Sequence, residues 1–172
     1  MPEKENLNLD MLELFYFKIV DLWKRFCELH SQLYDLTCDE YSCLLSSELD
    51  KLEMALKEKD GVMAKINIVE SIRQEVIQEI NLNVGEENKI KNVTELIKFM
   101  EKFEQNKNSN LLQKMNSLLI EIIESIQKQN KKNQIFLNKA VLNLSELKQE
   151  LSGSKSLDLY SAKGMLKADV TK

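Results

Sequence analysis

The sequence predicts an all-α protein: an elongated antiparallel bundle or coiled coil of three long helices plus one short helix, with a disordered C-terminal tail. Three observations carry this. Four glycines and one proline, Pro2, occur in 172 residues, so few residues interrupt a helix. Aromatic residues are only 6% of the chain and β-branched runs are scarce, which argues against a sheet. The apolar residues recur three and four apart over long stretches instead of alternating.

Residues 1 to 8 are polar and are expected to fray. From Leu9 a first helix begins. Leu12, Phe15, Ile19, Leu22, Phe26, Leu29, Leu33 and Leu36 form a heptad-like seam. Met11, Leu14, Tyr16, Phe17, Val20 and Trp23 are apolar too, so the first four turns are greasy on more than one face. Such a segment is either sandwiched between two other helices or exposed as a self-association patch, Met11 to Phe26. Two capping-box patterns compete for the end of the helix, Thr37 with Glu40 and Ser47 with Asp50. Leu44 and Leu45 continue the seam, which places the break at Ser46–Ser47.

A second helix is predicted from Glu48 to about Asn81, with Leu49, Leu52, Leu56, Met63, Ile66, Val69, Ile72, Val76 and Ile80 along it. Gly61 inside it costs only about 1 kcal/mol relative to alanine. Asn83-Val84-Gly85 ends it, with Gly85 suited to a left-handed C-cap, and Glu86 to Lys89 form a loop. A short helix, about Lys89 to Phe103, carries Ile90, Val93, Ile97, Met100 and Phe103 on one face, and Asn92 with Glu95 offers a later start. Asn106 to Asn110 is a linker, and Ser109 or Asn110 can cap the long helix after it.

The last helix, Leu111 to Leu151, has two apolar series. Leu112, Met115, Leu119, Ile122 and Ile126 make the first; Phe136, Ala140, Leu144, Leu147 and Leu151 make the second. Between them lies a polar interval with Gln127, Gln129, Asn130, Asn133 and Gln134 among three lysines. A helix that only fills a core rarely carries so many amides, so this one is read as a binding element. Ser152-Gly153-Ser154 is expected to stop it, dividing the chain into a bundle domain, 1–151, and a flexible tail, 152–172.

Charge and chemistry exclude several functions. The net charge is −4, too mild to imply a nucleic-acid partner. Glu28 to Asp60 holds nine acidic residues against three lysines, while the tail from Ser152 holds four lysines against two aspartates. No apolar run approaches the ~18 residues of a membrane span, so no membrane insertion is expected. Cys27, Cys38 and Cys43 are odd in number, match no CxxC pair and fit a reducing, cytoplasmic compartment. The N-terminus does not read as a signal peptide. His30 is the only histidine, no Gly-rich phosphate loop occurs, and Cys27 rather than glutamate stands three residues before His30. The chain is therefore expected not to be an enzyme, with no catalytic residue, no metal ligand and no cofactor.

The order Asn130-Lys-Lys-Asn133, Phe136-Leu137, Ala140, Leu144, Leu147 and Tyr160-Ser-Ala-Lys-Gly164 resembles the flagellar export chaperone family of the FlgN type. Glu40, Leu44-Leu45, Asp50, Leu52, Lys57 to Lys59 and Arg73 resemble that family's first half. The resemblance implies a cytosolic chaperone of flagellar type III export that binds unfolded hook-associated (hook–filament junction) proteins through an apolar helix groove and delivers them to the export gate. Asn130, Asn133, Phe136, Leu137, Ala140, Leu144 and Leu147 would bind the clients' C-terminal amphipathic segments, and Tyr160 and Gly164 would contact a gate component. The alternative is a structural or regulatory coiled coil that self-associates through Met11 to Phe26.

Overall fold

The computed structural model describes the backbone of residues 2–84, 89–104 and 110–168, and side chains from Met11 to Ser152 within those segments. Every regular element among them is helical: α1 (Pro2–Ser46), α2 (Leu49–Asn83), α3 (Val93–Met100), one 3-10 turn (Glu101–Phe103) and α4 (Leu111–Ala168). Helix α1 begins at Pro2, seven residues before the predicted start at Leu9. Proline is at home in the first turn, where its missing N–H has no carbonyl to serve.

Helix α1 ends where predicted, at Ser46. Ser47 takes a left-handed conformation, φ 57°, and the Glu48 N–H reaches back to the Cys43 carbonyl at 3.1 Å, closing the last turn. The rival break at Thr37 does not occur. Thr37 is fully buried, and its hydroxyl donates to the Leu33 carbonyl at 2.7 Å within the continuing helix. Helix α2 stops at Asn83 because Val84 is extended (φ −104°, ψ 154°); the Gly85 cap and residues 86–88 of the loop lie outside the described residues.

The short helix starts at Val93 rather than Lys89. The Asn92 side chain accepts the Glu95 N–H at 2.9 Å while the Glu95 carboxylate accepts the Lys91 N–H at 2.8 Å, a reciprocal cap that holds the preceding residues off the helix. Those residues are pinned otherwise. The Asn81 side chain accepts the Ile90 N–H at 2.8 Å and donates to its carbonyl at 3.0 Å. The buried Ile90 thereby has both backbone groups satisfied without belonging to a helix.

The start of α4 holds a correction. Ser109 lies outside the described residues, and Asn110 has φ 42°, so its side chain does not take the extended N-cap geometry. Its carbonyl accepts the Lys114 N–H at 2.9 Å. The capping carboxylate comes from Glu104, whose Oε1 accepts the N–H groups of Leu111 (3.0 Å) and Leu112 (3.4 Å). Glu104 is buried, and Tyr16 of α1 also hydrogen-bonds to it. Burial first, and then the Glu104 carboxylate, push the Tyr16 hydroxyl above its ordinary value, so it remains a donor. At its other end α4 continues helically through Ser152-Gly153-Ser154 to Ala168. One glycine without a proline nearby does not stop a helix. The expected tail falls on residues whose side chains, from Gly153 onward, lie outside those described.

The chain divides into two compact units, Met1–Asn130 and Lys131–Lys172. In the first, α1 and α2 run antiparallel: Lys18 pairs with Glu79 and Glu40 with Lys59. Trp23 and Leu33 of α1 meet Asn116 and Ile126 of α4, so these helices run in the same direction, antiparallel to α2. The main core joins Phe15, Tyr16, Ile19, Leu22, Trp23 and Phe26 of α1 to Val69, Val76 and Ile80 of α2, Leu96, Ile97 and Met100 of α3, and Leu112 of α4. Each such side chain contributes about 1.5–3 kcal/mol by leaving water. The extra apolar faces at the start of α1 are thus consumed by packing against three other elements. The Met11–Phe26 stretch is largely interior, with Leu14 and Phe17 left outside.

Candidate binding surface

The polar interval of α4 begins in the first unit, and Asn130 is the residue that ends that unit. Its Oδ1 accepts from Lys59 Nζ at 2.9 Å. The same ammonium sits 2.7 Å from Glu40 Oε2, so three helices meet at one lysine. The Glu40 and Lys59 side chains are only 12% and 13% exposed. Pairing there offsets a desolvation cost that neither charge could bear alone. Asn130 is itself exposed, and with its oxygen taken by Lys59 its amide nitrogen is the donor it still has to offer outward.

The remaining predicted residues lie in the second unit, on α4. Asn133 is buried, at 2% exposure. Phe136 and Ala140 are half-buried, and Leu137 is exposed. Leu144 and Leu147 are 66% and 54% exposed. With 3.6 residues per turn, Asn133, Phe136, Leu137, Ala140, Leu144 and Leu147 fall within roughly 100° of arc, one face of the helix. Val141, 63% exposed, and Leu151 stand on the same face. Val141 escaped the sequence pattern because Ala140 already filled that step of the three-and-four series; its i+4 spacing from Leu137 was the available signal. The side chains of Tyr160 and Gly164 lie outside the described residues.

A row of large aliphatic side chains in water forgoes much of the 1.5–3 kcal/mol each would gain by burial. Such a row on a long helix has the form of a seam that takes another amphipathic helix, its anchors spaced i, i+3, i+4 and i+7. It is a convex stripe on one helix, so a partner helix would pack along it.

Other features narrow the chemistry. Among the described residues, no group of three or more His, Cys, Asp or Glu side chains could hold a metal ion, and no helix is long and apolar enough to cross a membrane. The Cys27 thiol is 3.5 Å from the Met115 carbonyl, and burial, followed by the Glu28 carboxylate, pushes it up. It is therefore a protonated thiol at neutral pH rather than a nucleophile. His30 Nδ1 lies 2.7 Å from the Phe26 carbonyl one turn back.

Comparison with known proteins adds one finding. The family model described as FlgN protein matches residues 11–168, nearly the whole chain. No curated protein and no solved structure matches it.

Proposed function

The chain belongs to the FlgN family of flagellar export chaperones, and from that premise we propose that it binds hook-associated junction proteins through the α4 stripe and delivers them to the export gate. The family's members are chaperones, not enzymes, and they work in the cytosol. The observation that carries the proposal is the exposure of Leu137, Val141, Leu144 and Leu147 along one face. An unassembled junction protein has an amphipathic terminal segment with an apolar face to cover. Packing that segment on α4 removes both apolar faces from water. Asn130 is exposed and precedes the stripe, where a polar side chain fixes the register of a helix pair; Asn133 is already buried, so a direct client contact is not proposed for it. Tyr160 and Gly164, in the 152–172 segment, are proposed as the contact with the gate component, a tyrosine serving as a compact anchor with an apolar ring and one hydroxyl.

The test is the double substitution Ala140→Glu and Leu144→Glu. Leu144 is solvent-exposed and Ala140 half-buried, so folding should survive while two charges block the seam. Binding of junction proteins in a pull-down should be lost with the helical circular dichroism signal unchanged. Retained binding would refute the assignment. Tyr160→Ala should keep client binding and lose engagement of the gate component. Self-association through Met11 to Phe26 is the second reading, and it would rest on Leu14 and Phe17, which stay exposed while the rest of the aromatic start packs in the core.

A further inference from the structure

We infer that the protein self-associates by laying one face of α4, Lys132 to Leu142, antiparallel on the face of α2 from Leu49 to Asp60 of a second copy. Both faces hold aliphatic side chains in water: Leu49 and Leu56 on α2, Ile135 and Leu142 on α4, all 42–73% exposed. The members of each pair are seven residues apart, so each pair stands on one side of its helix. Ile135 and Leu142 lie on the side of α4 opposite Asn133, Ala140 and Leu144, so this face is separate from the proposed client stripe.

The charges beside these side chains are opposite in sign and matched in spacing. Glu53 and Asp60 are seven residues apart on α2, and Lys132 and Lys139 are seven apart on α4. All four are exposed, and none of them is in an ion pair among the described residues. Lys59, the cation nearest the α2 leucines, is already spent on Glu40. No acidic residue occurs from Gln127 to Ser145. On both helices the charges lie roughly 40–60° to the same side of the aliphatic pair. That shared hand selects the direction: turning one helix end over end brings the two charged edges together, whereas parallel packing sets them on opposite sides of the seam. One antiparallel register then serves every position. Leu49 faces Leu142, Leu56 faces Ile135, Glu53 meets Lys139 and Asp60 meets Lys132. The apolar and charged ladders differ by a single residue, about 1.5 Å of rise, which the lysine stems absorb. Each copy carries both halves of the pattern, so the occupant is a copy of this chain. A seam of about three turns is smaller than the ~1,200–2,000 Å² of a stable interface, so the association is reversible and its charge pairs matter.

Sedimentation equilibrium of the full chain tests this at low salt and at about 1 M salt, where the Debye length falls to ~3 Å. The expected mass rises above the monomer with concentration at low salt and returns to the monomer at high salt. Lys132→Glu with Lys139→Glu, and separately Glu53→Lys with Asp60→Lys, should each weaken association about tenfold or more, because two attractions become two repulsions. Mixing these two variants should restore it, since each then meets the opposite charge on both faces. All four positions are exposed, and circular dichroism verifies that the helices persist. Leu14→Asp with Phe17→Asp, on the outside of α1, should leave association unchanged. A chain that is monomeric at every concentration, association indifferent to either charge reversal, or a mixture that stays dissociated would overturn the proposal. Association lost with the Leu14 and Phe17 substitutions and kept in both charge reversals would overturn it in favour of α1.

Discussion

Glu104→Ala should be the most damaging single substitution of a charged residue in this chain. The carboxylate receives two N–H groups at the start of α4 and hydrogen-bonds with Tyr16, all within a buried corner. Loss of an N-cap acceptor costs about 1 kcal/mol. The N–H of Leu112, a residue 1% exposed, and the Tyr16 hydroxyl are then left without their acceptor, adding roughly 1–2 kcal/mol. The total is about 2–3 kcal/mol, or a fall in Tm of about 5–10 °C for a domain of this size. Urea unfolding followed by Trp23 fluorescence and by circular dichroism measures it. Glu104→Gln keeps an oxygen in place and should cost less than half as much. Ser109→Ala should change stability by less than about 0.5 kcal/mol, because the first N–H groups of α4 already have the Glu104 carboxylate as acceptor. If Glu104→Ala also stays within about 0.5 kcal/mol of the parent, or Ser109→Ala costs more than Glu104→Ala, the capping assignment is wrong.

The polar contacts set two further outcomes. Lys59→Met should cost about 2 kcal/mol in the same urea assay, because Glu40 stays buried without its counter-ion, and adding Glu40→Gln should recover part of the loss. Glu70 supplies a pH dependence. Hydrogen bonds from Arg73, opposed by burial and aided by Gln74 and the Arg73 charge, hold its carboxyl below the ordinary value. Its contribution is therefore present above the ordinary carboxylate value and is lost as pH falls through the depressed folded-state value. The pair is partly exposed, so the effect should stay below about 1 kcal/mol, and Arg73→Leu should remove it from the acid limb of a stability-against-pH curve.

What the residues alone determined was local. Apolar spacing set the number and type of the helices, because a 3.6-residue period leaves an apolar stripe whatever the stripe later meets. The break at Ser46 was legible because two serines and an acidic residue interrupt a leucine seam. The stripe from Phe136 to Leu147 was legible for the same reason as the helices. Long-range pairing belonged to the tertiary structure. Glu104 caps a helix seven residues away across a linker, and no spacing rule reaches that far. Asn81 satisfies the backbone of Ile90, and Lys59 gathers Glu40 and Asn130 from two other helices, because buried polar groups must find partners wherever the packing brings them. The same packing decided which apolar surface is interior and which is presented. Residue type and spacing do not distinguish the aromatic start of α1 from the leucines of α4, since both are apolar at helical intervals. Folding buries the first against α2, α3 and α4, and leaves Leu137, Val141, Leu144 and Leu147 facing solvent.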